Sequence, residues 1–386
     1  MAVAALFANC FAAKLIDHFG AHFMFTLAGF LTTVSTAILP IALRLNAVFV
    51  IGLRCCQGIS FAMTFPMVGN FVSKWAYVKQ VGGVMGVLTS FAQLAPAISD
   101  PISGALCVGR WGWPSVLYGH AVFSGFVFGI FALTYRNRPA DHFFISDAER
   151  YLISIRKPLT SPQTHNIPTW DILKTPSVLA IWVAALGTSF NLTTVFLFAP
   201  RYLHNVLGMG VSHTGIAVAV SAFSQVLVKI FADNMRIRIF NSLAAYGSSI
   251  CLIVICLISN SETKHKLANL ILLTISTAVI GFDSGGYYRS ASVVACQFSH
   301  FVIGNVTLCV VITILIVPVI IGGLVPRDTV DEWTKVFWII AVVQIACNSF
   351  FLLFSSADSA RWTRFVPRLT RPRVTTIRGT RLSLPV

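Results

Sequence analysis

Four ionisable side chains, Arg54, Asp100, His120 and Asp283, stand inside long apolar runs. A charge at the centre of a bilayer costs about 2.5–3.5 kcal/mol on insertion scales, so such a group faces a cavity or a partner. An arginine with no acid in its own run is suited to holding an anion. A carboxylate in an apolar setting can take up a proton near neutral pH, because burial disfavours its charged form. Asp100 and Asp283 are the carboxylates of these runs, so proton coupling through a membrane carboxylate has to use one of them. Asp100 precedes Pro101 and is also suited to capping a broken helix there, while His120 reads as a packing histidine. Such chemistry moves an ion rather than breaking a bond. No Ser-His-Asp set, metal cluster or dinucleotide fingerprint stands out. The chain is therefore not read as an enzyme, and no cofactor is called for.

The elements that position these groups follow from composition. The chain has 386 residues, 56% hydrophobic and 11% charged. A soluble domain carries about 25% charged residues. The apolar runs lie at about 1–13, 24–43, 47–72, 83–107, 113–135, 177–200, 213–228, 240–259, 267–288, 301–325 and 333–355. Lipid offers bare backbone amides no partner, so each run is predicted to be a helix. The first is too short to span comfortably and is read as a span that starts at, or is clipped by, the chain start. It lacks the charged n-region and cleavage site of a signal peptide. Most of the nine cysteines lie inside runs, where they serve as small apolar residues.

The net charge of +15 does not point to nucleic acid, because the basic residues sit between apolar runs and in a tail. With the loop at 14–22 on the cytoplasmic face, that face holds 13 Lys and Arg against 7, and the tail raises the count to 20. Arg54 alone is placed within a span. The bias predicts a cytoplasmic tail and an N-terminus on the opposite face. The longest loop, 136–176, is polar and rich in proline. The predicted fold is an all-α polytopic membrane protein. Its parts are an N-terminal bundle over 1–135, a cytoplasmic linker over 136–176, a C-terminal bundle over 177–356 and a basic tail over 357–386. Two bundles joined by a linker is a transporter layout.

Several stretches carry a family resemblance. Leu15-Ile16-Asp17-His18-Phe19-Gly20 and Phe231-Ala232-Asp233-Asn234-Met235-Arg236 join corresponding runs of the two halves. Both resemble the short acidic loop of the major facilitator superfamily, which makes Asp17, Gly20, Asp233 and Arg236 candidates for gating loops. Arg54-Cys55-Cys56-Gln57-Gly58 resembles that superfamily's fourth helix. Phe65-Pro66 before Ser73-Lys74-Trp75-Ala76, Gly112-Trp113-Pro114-Ser115, Ile145-Ser146-Asp147-Ala148-Glu149-Arg150, Pro168-Thr169-Trp170 and Glu332-Trp333-Thr334-Lys335 are more specific. Together they resemble the anion–cation symporter family of vesicular glutamate transporters, sialin and type I sodium–phosphate cotransporters, over about residues 5–358. The fold implied is two six-helix bundles, with the first helix belonging upstream of Met1.

The resemblance also locates the departures. Phe61 stands where relatives keep an acid, and Gly69 where they often keep a histidine. Thr188 stands at the place of an arginine in the seventh helix, and Ala291-Ser292-Val293-Val294-Ala295-Cys296 replaces a His- and Asp-bearing segment. The implied substrate and cavity positions are Arg54, Asp283, Thr188 and Phe61, with Asp100 and Asp283 as coupling carboxylates. The implied activity is alternating-access transport of an organic anion or phosphate, with a proton or sodium as coupling ion and the lipid bilayer as surroundings. The membrane is a plasma membrane or a vesicular or lysosomal one. The alternative is a non-transporting or truncated paralogue with a structural or partner-binding role.

Overall fold

A computed structural model describes residues 1–77, 80–110, 112–142, 167–231, 237–259, 266–356 and 358–363, with a few positions between 145 and 153. The N-terminal bundle comprises α1 (Ala2–Phe19), α2 (Ala21–Leu45), α3 (Ala47–Ala62), α4 (Thr64–Trp75), α5 (Val81–Thr89), α6 (Phe91–Val108) and α7 (Pro114–Thr134). A short α8 (Thr169–Leu173) precedes the second bundle. That bundle comprises α9 (Pro176–Asn205), α10 (Val211–Phe231), α11 (Ile237–Ser259), α12 (Lys266–Val279), α13 (Tyr287–Ala295), α14 (Ser299–Gly304), α15 (Val306–Leu324) and α16 (Val330–Phe354).

Nine stretches among the described residues are long and apolar enough to cross a membrane. One of them, Lys266–Leu324, has 59 residues. As one helix it would be about 90 Å long, some three times the hydrocarbon core. It turns back instead at Cys296–Phe298, where Cys296 takes φ 44° and ends α13. With this stretch counted as two crossings, and with the shorter apolar helix α10, the eleven predicted crossings are present.

Two expectations need correction. The first helix has 18 residues rather than 13, because Lys14 and Asp17 continue it to a cap at Gly20, whose φ of 86° suits glycine. Likewise α10 runs past residue 228 to Phe231 and carries Lys229 inside it. Arg54 is therefore not alone within a span.

Four crossings are broken, in corresponding places of the two halves. α3 gives way to α4 at Met63, just before Pro66, and α5 to α6 at Ser90. α12 gives way to a 3-10 turn over Ile280–Ser284 ahead of α13, and α14 to α15 at Asn305. Proline removes one helical hydrogen bond and biases the residue before it away from helix. In the second half, Gly285 and Gly286 separate the 3-10 turn from α13.

Exposure divides the helices further. In α7 just 6% of the apolar stretch is buried, against 67% in α9, so α7 is periphery for lipid and α9 is core. The core at the linker end crosses between bundles: Phe65, Val68 and Met85 cluster with Ile181, Tyr287, Tyr288, Val302 and Ile303. At the opposite end the second bundle is clasped by Arg201, whose Nε lies 2.8 Å from Asp328 Oδ1. Thr329 and Glu332 form a capping box that starts α16.

Candidate functional site at the bundle seam

The broken helices meet one another. α4 of the first bundle packs on α14 of the second, and α5 packs on α10, α13 and the 3-10 turn. Small residues set the distance. A Cβ on Gly69 would stand 2.6 Å from His300 Cα, one on Gly86 2.6 Å from the Lys229 carbonyl oxygen, and one on Gly304 2.9 Å from Pro66 Cγ. Such contacts require glycine or a shift of backbone. The Gly69 departure thus has a steric cause: His300 backbone occupies the space a side chain would need. Phe65 and Tyr288 stack across the seam with centroids 6.3 Å apart. Gly129 of α7 behaves otherwise and faces open space.

Two acid–base contacts lie at this seam. At its rim, His300 Nε2 is 3.0 Å from Asp17 Oδ2, linking the last turn of α1 to α14. Beyond Gly20, the His22 amide in the first turn of α2 donates to Asn137 Oδ1, just past the end of α7, at 2.9 Å. Deeper in, Lys229 Nζ lies 3.6 Å from Asp283 Oδ1, and each side chain is 2% exposed. Lys229 also donates to Thr89 Oγ1 of the first bundle at 3.2 Å, and its Nζ sits 5.9 Å from the Tyr288 ring centroid. Thr89 spends its own proton on the Met85 carbonyl at 2.8 Å, which leaves its oxygen free to accept. Asp283 Oδ1 finds no hydrogen-bond donor among the described residues.

Lys229, Thr89 and His300 were not among the sequence candidates. The run pattern places Lys229 in a loop, because its apolar run ends at Val228. The signal lay in Ile230, Phe231 and Ala232, which carry the apolar pattern beyond it.

The other candidates are dispersed. Arg54 is exposed on α3 and donates to Gln57 Oε1 at 3.0 Å, and Gln57 donates to Thr36 Oγ1 at 2.9 Å. Gln57 and Phe61 line a cavity of about 710 Å³ within the first bundle, between α2, α3, α4 and α7. Its wall is largely apolar, with Phe25, Phe71, Phe128 and Phe131. Thr188 is buried in α9, one turn before Asn191. Asn191 donates to Ser248 Oγ at 2.9 Å and to Gln344 Oε1 at 3.0 Å in a polar network inside the second bundle. Asp100 belongs to α6, and its side chain lies outside the described residues, as do Asp233 and Arg236. The seam therefore gathers Asp17 and Asp283 but neither Arg54 nor Thr188.

Two helical bundles that meet along broken helices and seal at one end have the architecture of a secondary membrane transporter. The comparisons agree. The chain belongs to the major facilitator superfamily, whose family model matches residues 1–301. Within it, the chain is similar to human sialin, at 28% identity over 86% of this chain and 69% of sialin. It is also similar to vesicular glutamate transporter 3 of Danio rerio, at 26% over 88% of this chain and 60% of that protein. The sodium-dependent phosphate transport protein 1 of Mus musculus is 22% identical over 87% of this chain and 74% of its own length. The anion–cation symporter resemblance of the motifs therefore holds. In fold, the chain is similar to the proton:xylose symporter XylE, with a TM-score of 0.73 at 10% identity, over 92% of this chain and 84% of that one. The Escherichia coli fucose:proton symporter FucP gives 0.66 at 13% identity, over 92% and 90%.

Proposed function

We propose that the chain carries a small organic anion, or phosphate, across its membrane by alternating access, driven by a proton or sodium gradient. The observation that carries this reading is the seam. Bundle contact runs through the four broken helices together with α1 and α10, and the shared core and both acid–base contacts of the seam lie at the linker end. Parting this end while the opposite end closes would expose the Lys229–Asp283 level alternately to the two sides. The relatives named for glutamate and phosphate support an anionic substrate.

In this reading residues 1–135 and 177–356 are the two moving bundles, 136–176 is their linker and 357–386 a cytoplasmic tail. Asp17 and Gly20, with Asp233 and Arg236 in the second half, form the gating loops. Asp283 and Asp100 are the carboxylates open to coupling. Arg54 and Phe61 belong to the first bundle's wall and Thr188 to the second's. The membrane is a plasma membrane or a vesicular or lysosomal one.

The test is uptake of labelled glutamate and of labelled phosphate by the full chain in proteoliposomes, under imposed proton or sodium gradients. Gradient-dependent uptake of at least one anion is expected. Arg54→Ala is expected to lower it more than tenfold at membrane abundance within about twofold. A folded chain that takes up neither anion under either gradient sinks the proposal.

A further inference from the structure

Lys229 is the one lysine or arginine among the described residues whose side chain is buried. It stands on α10 of the second bundle, yet it donates a hydrogen bond to Thr89 of the first. Its counter-ion Asp283 is held by the Tyr287 side chain and the Ser284 amide, but Oδ1 stands 3.6 Å from Nζ and finds no donor. A buried ion pair offsets its desolvation when its geometry is close and its remaining lone pairs are satisfied. This pair is long at 3.6 Å and leaves one carboxylate oxygen, Oδ1, without a donor. A second anion could therefore compete with Asp283 for the ammonium.

The surroundings make the competition depend on the state of the seam. Thr89, Gly86 and Phe65 come from the first bundle, and they close over Lys229 and Tyr288. If the linker end parts, Thr89 withdraws and Nζ faces the opening. The groups that face Asp283 are few. α10 offers Lys229, and α13 offers Tyr287 and Tyr288. α5 has no charged side chain, α12 has one at Lys266 at its opposite end, and α11 presents Asn241 to the start of α13. Among the described residues, Lys229 is the one cation that acts on Asp283.

We propose that Lys229 is the binding site for the carboxylate or phosphate group of the transported anion, exchanging Asp283 for it when the linker end opens, and that Asp283 takes a proton in the exchange. The proposal rests on the transport reading above and deepens it. Charge balance gives the stoichiometry. Lys229 and Asp283 together are neutral, and a monovalent anion on Lys229 leaves a lone buried carboxylate. Such a charge is costly and is neutralised by protonation. One proton therefore moves with each monovalent anion, with no net charge. When the anion leaves, the proton leaves Asp283 and the ion pair re-forms.

Two measurements separate the site from the transport reading. The first is thermal unfolding of the purified full chain in glutamate or phosphate, against chloride at equal ionic strength. Lys229→Met alone strands Asp283, so the double variant Lys229→Met/Asp283→Leu, which replaces the pair by apolar side chains, carries the test. A rise in unfolding temperature with at least one anion is expected in the unmodified chain and in Asp283→Asn, and none in the double variant. A rise retained by the double variant, or no rise in the unmodified chain with either anion, overturns the site. The second is labelled uptake with an entrapped pH dye. It should give about one proton per glutamate in the unmodified chain, anion exchange without proton movement in Asp283→Asn, and at least tenfold lower uptake in the double variant. Full uptake by the double variant overturns the site and leaves the transport reading standing. Anion-dependent stabilisation without uptake overturns the transport reading and leaves the site standing. Glutamate uptake by the unmodified chain without proton movement overturns the part assigned to Asp283.

Discussion

Two ion pairs in the second bundle are built alike and set in opposite surroundings. Arg201–Asp328 joins the far end of α9 to the loop before α16, with side chains 37% and 18% exposed. Asp328 also accepts from Asn205 at 2.9 Å and from the Trp333 indole at 3.3 Å, while Arg201 donates a further bond to the Val325 carbonyl at 3.1 Å. Lys229–Asp283 is buried at the seam, where Tyr287 and Ser284 support the carboxylate but its Oδ1 finds no donor. The wet pair is well partnered although it needs partners least; the dry pair leaves one carboxylate oxygen without a donor where that costs most. A clasp that stays shut collects donors. A pair that has to change partners is better kept short of them.

The largest expected effect breaks the dry pair. Asp283→Asn leaves Lys229 as a buried charge with no counter-ion, and Lys229→Met does the same to Asp283. Removing one member of a buried pair costs about 3–5 kcal/mol. Each single variant is expected to lower the unfolding temperature sharply, whereas Lys229→Met/Asp283→Leu should stay within about 1–2 kcal/mol of the parent. Detergent-solubilised melting curves check this, and equal losses in single and double variants would show that the two charges are not coupled.

A steric change at the same seam should come next. Gly69→Val puts atoms where His300 backbone now lies, 2.6 Å from the site of the new Cβ. Overpacking of this kind costs about 1–3 kcal/mol. The bundles can relieve it by separating at the linker end, so the stability loss should be accompanied by opening. A cysteine placed at Val72, buried on the following turn of α4, reports the opening. It should react with a water-soluble thiol reagent severalfold faster in Gly69→Val, read as the difference from the variant lacking that cysteine. Unchanged reactivity would mean that Gly69 only fills space.

The fold was legible because the bilayer imposes a strong rule: each apolar run has to satisfy its own backbone as a helix. The run pattern gave the crossings, and the stretches around Asp17, Gly112 and Glu332 gave the family. The site was less legible. Arg54 drew attention as a charge within a run, yet it lies exposed beside a largely apolar cavity. Lys229 looked like a loop residue because composition places a lysine at a run's edge in water. What buries it is the approach of α5 at Gly86, a contact between positions 143 residues apart that no local pattern carries. Asp283 could be named from sequence because it has apolar neighbours on its own strip of chain; its partner could not, because that partner comes from another helix. The breaks at Met63 and Ser90 and at residues 280–286 and 305 are tertiary in the same sense. Of these, the break near Pro66 had a clear sequence cause.

The smallest expected effect concerns the wet pair, and it is the cleanest in sign. Burial alone would raise the Asp328 carboxyl, but hydrogen bonds from Arg201, Asn205 and Trp333, together with the Arg201 charge, outweigh it and hold the group below the ordinary carboxylate value. A group depressed in the folded state adds stability above its unfolded value, about 3.9, and loses it as pH falls through the folded value. The clasp should therefore contribute fully at pH 5 and above and fade below about pH 4. Asp328→Asn isolates this charge with little other change. Asp328 has φ 55°, a left-handed conformation that asparagine tolerates and most residues do not. The amide can still accept from the indole, so the loss should be about 1 kcal/mol or less, as for exposed pairs. At pH 7 the variant should melt slightly below the parent, and the two curves should converge on acidification. Alanine at the same position should cost more and keep that excess at every pH, because it adds backbone strain to the lost charge. A difference between parent and Asp328→Asn that persists unchanged below pH 3 would mean that hydrogen-bond geometry, not ionisation, holds the clasp.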